Sequence, residues 1–89
     1  RLHMSQISEL TCRRLEKYAK QQLSECKDKV FEYEIILGDH EPYVSGNCSI
    51  IDITYDRAIK CDIYCIKDLE SGSTYIIDFF HILLKEKKG

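Results

Sequence analysis

Five cysteines, three histidines and fifteen carboxylates are the groups in this 89-residue chain that could support covalent, acid–base or metal chemistry. The cysteines are Cys12, Cys26, Cys48, Cys61 and Cys65, an odd number that excludes a complete disulfide framework within one chain. Only Cys61 and Cys65 are close in sequence. On one strand they would share a face yet stand about 13 Å apart at ~3.3 Å per residue, too far to bridge or to share a zinc. The expected role of the cysteines is that of small buried hydrophobes in a reduced intracellular protein. A cysteine hydrolase needs a base beside a thiolate. Of the histidines, His3 falls in the first four residues, His40 in a loop and His81 on a polar face. Asp39, His40 and Glu41 could ligate a metal, but Pro42 beside them makes a solvated turn the commoner explanation. No phosphate loop, nucleophile elbow, zinc spacing or dinucleotide fingerprint occurs. The expectation is a non-enzyme, with no catalytic, cofactor-binding or metal-binding residue and no small-molecule substrate.

A second candidate is basic. Arg13, Arg14, Lys17, Lys20 and Lys27 gather on one side of the first helix, where a cationic stripe could follow a phosphate backbone. Glu9, Glu16 and Glu25 are interleaved with them, as on any solvated helix face. The net charge is −2 and the pI about 5.9, so nucleic acid is not the expected partner. No apolar run approaches the ~20 residues of a membrane span and no secretory leader is visible, which predicts an intracellular protein, nuclear or cytoplasmic.

The elements that must position these groups follow from periodicity. Arg1-Leu2-His3-Met4 reads as a cloning scar, leaving residues 5–89 as one α+β interaction domain. Ser5 or Ser8 caps a helix running to about Asp28, with Cys12, Leu15, Ala19, Leu23, Cys26 and Val30 as its apolar stripe. Residues 30–37 alternate, directing Phe31, Tyr33, Ile35 and Leu37 inward and Glu32 and Glu34 outward. A second strand over about 48–55 buries Ile51, Ile53 and Tyr55. A third over about 58–67 turns Ile59, Cys61, Ile63 and Cys65 inward, and Lys60, Asp62 and Tyr64 outward. Short connections make the three an antiparallel meander. In the last segment Thr74, Asp78, His81, Lys85 and Lys88 recur at helical spacing, which predicts a C-terminal helix, with a short fourth strand over Thr74–Asp78 as the alternative for its first half.

Two features point to a protein partner or a homodimer. Ile7 and Leu10 project away from the apolar stripe of the first helix. A final helix would be apolar around all but one narrow strip, more than one small sheet can cover, which singles out Ile76, Phe80 and Leu84 as joining core to interface.

An entering helix, a small meander and a closing helix resemble the RWD-like heads that end the coiled-coil proteins of kinetochores and the spindle checkpoint. The matching run is Cys61-Asp62-Ile63-Tyr64-Cys65-Ile66-Lys67 through Glu70-Ser71-Gly72-Ser73 to Tyr75-Ile76-Ile77-Asp78-Phe79-Phe80. The resemblance implies a non-catalytic head that dimerises and docks other proteins in chromosome segregation. Leu23-Ser24-Glu25-Cys26 leading to Phe31-Glu32-Tyr33 is similar to the helix-to-strand passage of Tctex-type dynein light chains, which carry two helices before the sheet and end in a strand. The α-β-β-β-α order also looks like the Alu-RNA-binding subunits of the signal recognition particle, which are strongly basic where this chain is acidic.

Overall fold

The computed structural model describes residues 9–38 and 42–88. Residues 1–4, Ser5, Ile7, Ser8 and Asp39-His40-Glu41, on which the expected scar, helix cap and metal-ligating set fall, lie outside the described residues. Helix α1 (Glu9–Cys26) is followed by five strands: β1 (Phe31–Ile35), β2 (Val44–Asp56), β3 (Cys61–Asp68), β4 (Thr74–Asp78) and β5 (Ile82–Glu86). A 3-10 turn, Phe79–His81, joins the last two. The sheet is antiparallel throughout, in the order β4-β3-β2-β1-β5.

The helix lays Cys12 and Ala19 onto the sheet, with Leu23 and Cys26 packed beside them. It stops at a backbone turn in which Lys29 N donates to the Cys26 carbonyl, and Asp28 adopts a left-handed conformation (φ 64°). One face of the sheet meets the helix. It carries Phe31, Tyr33 and Ile35 from β1, Cys48, Ile50 and Ile53 from β2, Tyr64 and Ile66 from β3, and Ile82 from β5.

The sheet is rolled, and chain length requires it. Five strands laid flat would hold β4 and β5 about 19 Å apart at ~4.8 Å per spacing. The stretch from Asp78 to Ile82 reaches at most about 14 Å. Moreover, Asp78 stands level with Thr54 of β2 through Ile63, whereas Ile82 stands level with Val44 through Ile35. Only a bent β2 brings these two ends together. The register breaks between Ile50 and Asp52, a bulge at Ile51 that supplies a bend near the middle of the strand.

Several expectations are corrected. The last segment is strand, turn and strand, not a helix: the alternative strand over Thr74–Asp78 is β4, which extends the meander to four strands, and β5 crosses to the opposite edge beside β1. Each of its strands needs apolar residues on one side only, Tyr75 and Ile77 in β4, Ile82 and Leu84 in β5, and the three-residue turn between them gives the polar positions their helix-like spacing. The bulge exposes Ile51 and puts both Ile50 and Ile53 on the helix side. Beyond Cys61, which is buried as expected, the faces of β3 are inverted: Tyr64, Ile66 and Asp68 face the core, while Ile63 and Cys65 face away. β1 ends at Ile35, leaving Leu37 exposed, and Ile59 lies exposed in the β2–β3 turn.

Candidate interaction surface

The inverted face of β3 rests on one buried carboxylate. Tyr33 Oη donates to Asp68 Oδ2 at 2.5 Å, and Asp68 Oδ1 accepts from the backbone N–H of Glu70 and of Ser71, each at 2.8 Å. Both oxygens are satisfied, so the charge is tolerated inside. The Tyr33 hydroxyl and the two turn amides hold the Asp68 carboxyl down to about 2, well below the usual carboxylate range. Burial, then the hydrogen bond to Asp68, pushes the Tyr33 phenol up. Tyr33 lies opposite Gly46 across β1 and β2, and a Cβ there would come within 2.8 Å of Asp68 Oδ2 and 3.4 Å of the Tyr33 ring. Glycine thus leaves the space in which a β1 side chain crosses β2 to reach β3. This brace fixes the turn from which β4 starts.

A second brace ties the helix to the β2–β3 turn. The Arg57 guanidinium grips Glu16 through Nε (2.7 Å) and Nη2 (3.1 Å), and Glu9 through Nη1 (2.8 Å) and Nη2 (3.1 Å). Glu9 also accepts from Arg13 Nε at 3.1 Å. Arg57 lowers both carboxyl pKa values.

The third element is the turn between β4 and β5. Asp78 accepts from Phe80 N (3.2 Å) and holds His81 Nδ1 at 2.7 and 2.8 Å. Burial raises the Asp78 carboxyl, but its bonds and attraction to His81 outweigh that and leave it lowered. The His81 carbonyl accepts from Ile36 N at 2.9 Å, so the turn is anchored beside β1 as well. Phe79 and Phe80 stand outward with their rings 5.6 Å apart.

Both strands joined by this turn are edges. β4 pairs only with β3 and β5 only with β1 among the described residues. Ile76 of β4 is 73% exposed and Leu83 of β5 is 58% exposed, on the sides turned away from the core. Unpaired strand backbone with an apolar side chain at its centre is a template for another strand.

Of the residues singled out in the sequence, Ile76 lies at the centre of the β4 edge. Leu84 is on β5, packed inward against the core. Phe80 is 72% exposed and belongs to the turn, so it does not close the core. Leu10 is exposed on α1, and Ile7 is outside the described residues. Arg13, Arg14, Lys17 and Lys20 are all exposed on the helix. Leu83, Phe79, Arg57 and the Tyr33–Asp68 pair were missed. The strand alternation of Ile82-Leu83-Leu84-Lys85 carries the signal for Leu83; nothing local in the sequence signals that Tyr33 and Asp68 meet.

Chemically the surface offers little beyond contact. Burial, with the Asp68 charge second, pushes the Cys48 thiol up to about 11, and burial raises Cys61 too, opposite to an activated nucleophile. No cluster of three or more His, Cys, Asp or Glu that could hold a metal occurs among the described residues. No helix among them is long and apolar enough to cross a membrane. No family model, curated protein or solved structure matches this chain. Function must therefore be argued from the geometry alone.

Proposed function

We propose that the domain is a non-catalytic protein-interaction module that associates with a second copy of itself, or a closely related chain, by adding the β4 edge of one protomer to the β5 edge of the next. The observation that carries this reading is the match between the two edges. With Ile77 placed opposite the neighbour's Ile82, the antiparallel pairing sets Tyr75 opposite Leu84, Ile76 opposite Leu83 and Thr74 opposite Lys85. Core-side residues then meet core-side residues, and the exposed Ile76 and Leu83 cover each other. Such an edge-to-edge contact is head-to-tail, so it builds rings or filaments and not a closed two-fold dimer. The proposal keeps the interaction role expected from the sequence and rests it on strand edges, with Ile76 retained and Leu83 added.

The reading as a coiled-coil head in chromosome segregation leaned on a closing helix, which β4, the 3-10 turn and β5 replace; the proposal does not depend on it. The terminal strand favours the Tctex-type adaptor as a second reading, although one helix, not two, precedes the sheet among the described residues. Alu-type RNA binding predicts structure-specific RNA affinity that survives physiological salt, and a salt-sensitive, non-specific response argues against it. Sedimentation at high micromolar concentration tests the proposal. The wild-type chain should self-associate and Ile76→Glu should be monomeric and folded; a strictly monomeric wild type would contradict it.

A further inference from the structure

A separate surface lies along the seam between α1 and β2. β1 accompanies β2 only as far as Cys48, where Phe31 is its partner, so from Ser49 onward β2 has β3 on one side and no strand on the other among the described residues. Beside that open half-edge is a concavity of about 420 Å³ lined by Lys20, Leu23, Ser24, Lys27, Ile50 and Ile51. It continues, past the shared Lys20, into a smaller hollow of about 210 Å³ lined also by Glu16, Ile53, Thr54 and Tyr55. The floor is aliphatic, and the bulge is what brings Ile51 to it, 48% exposed. Lys20 and Lys27 make the rim of the larger concavity cationic.

The carboxylates on this side of the helix, Glu16 at the smaller hollow included, are already paired with arginine. Glu9 and Glu16 both bind Arg57, and Glu9 also binds Arg13. At 100° per residue Glu25 projects from the opposite flank of α1, whereas Lys20 and Lys27 lie within about 20° of each other on the flank facing the seam. We infer that this groove docks an extended acidic peptide segment of a partner protein, with an aliphatic anchor on Ile51 and Leu23 and its carboxylates on Lys20 and Lys27. Charge complementarity and the apolar floor select this occupant. Nucleic acid is disfavoured because no aromatic ring lines the larger concavity to stack a base, and because the chain is net acidic. From Ile50 to Tyr55 the seam accommodates about five extended residues at ~3.3 Å each.

Random peptides displayed on phage and selected against the intact protein are the probe. Enrichment of Asp or Glu around an aliphatic residue is expected, with amide shifts at 20–27 and 50–55 when a selected peptide is added. Lys20→Glu/Lys27→Glu should weaken that peptide roughly tenfold or more, and raised salt should weaken it too. Ile51→Ser tests the anchor independently. All three residues are exposed or half-exposed, so the melting temperature should hardly move. The inference fails if no acidic motif is enriched, if neither variant affects binding, or if the selected peptides shift β4 and β5 instead. It also fails if an oligouridylate RNA moves the same amides at lower concentration than the peptides.

Discussion

Tyr33 reaches Asp68 only because residue 46 has no side chain, and this small vacancy sets two expectations at the residue scale. Gly46→Ala forces a methyl group against the carboxylate and the ring, and should cost about 1–3 kcal/mol of stability in urea denaturation, as overpacking does elsewhere. The second concerns acid. The folded Asp68 carboxyl sits near 2 against an ordinary 3.8, so the unfolded chain binds the proton more readily. The stabilisation is present above about pH 4 and lost as the pH falls towards 2. Glu9 and Glu16, lowered by Arg57, act in the same direction. Melting temperature should therefore hold steady through neutral and mildly acidic buffers and drop below about pH 4. Asp68→Asn should melt lower at neutral pH and show a shallower acid decline. None of this was legible in the sequence: Asp62 and Asp68 make their face of β3 look solvent-facing, and the tyrosine that permits a buried Asp68 is 35 positions away.

At the scale of elements, α1 and β1 could be read directly, because each has one apolar face with an unbroken period. The later elements could not, since the period is interrupted where the chain does something local. The bulge at Ile51 moves the inward set of β2 by one residue midway, and the Asp78-capped turn resets the alternation between β4 and β5. Mutations should follow the strands and not the helix that the spacing suggested. Ile82→Ala removes a buried side chain next to Ile35 and should cost roughly 2–5 kcal/mol. Phe80→Ala, on an exposed ring, should stay within about 0.5 kcal/mol of wild type in the same thermal melts. A severe loss from Phe80→Ala would mean that this residue is core after all. Arg57→Ala releases both Glu9 and Glu16, so hydrogen exchange should quicken in the first turns of α1 while β1 and β3 keep their protection.

For the whole molecule, rolling the sheet matters more than any single contact. It brings the ends of two edge strands to either side of one three-residue turn, and leaves each edge able to accept a strand from a neighbour. The expectation of an interaction surface came from counting more apolar residues in the last segment than one face could bury; that excess is real in Ile76, Phe79, Phe80 and Leu83. Its arrangement on two edges could not be read without the roll. The central claim is the head-to-tail pairing of β4 with β5, and a mixing experiment in the analytical ultracentrifuge tests it most directly. Ile76→Glu spoils one edge and Leu83→Glu the other, and each variant alone should sediment as a monomer. Mixed in equal amounts they retain one intact junction, between Ile76 of one chain and Leu83 of the other, while the two glutamates repel at the remaining ends. The mixture should form a one-to-one dimer and nothing larger. Two variants that stay monomeric on mixing, or that associate as well alone as the wild type does, would contradict the claim.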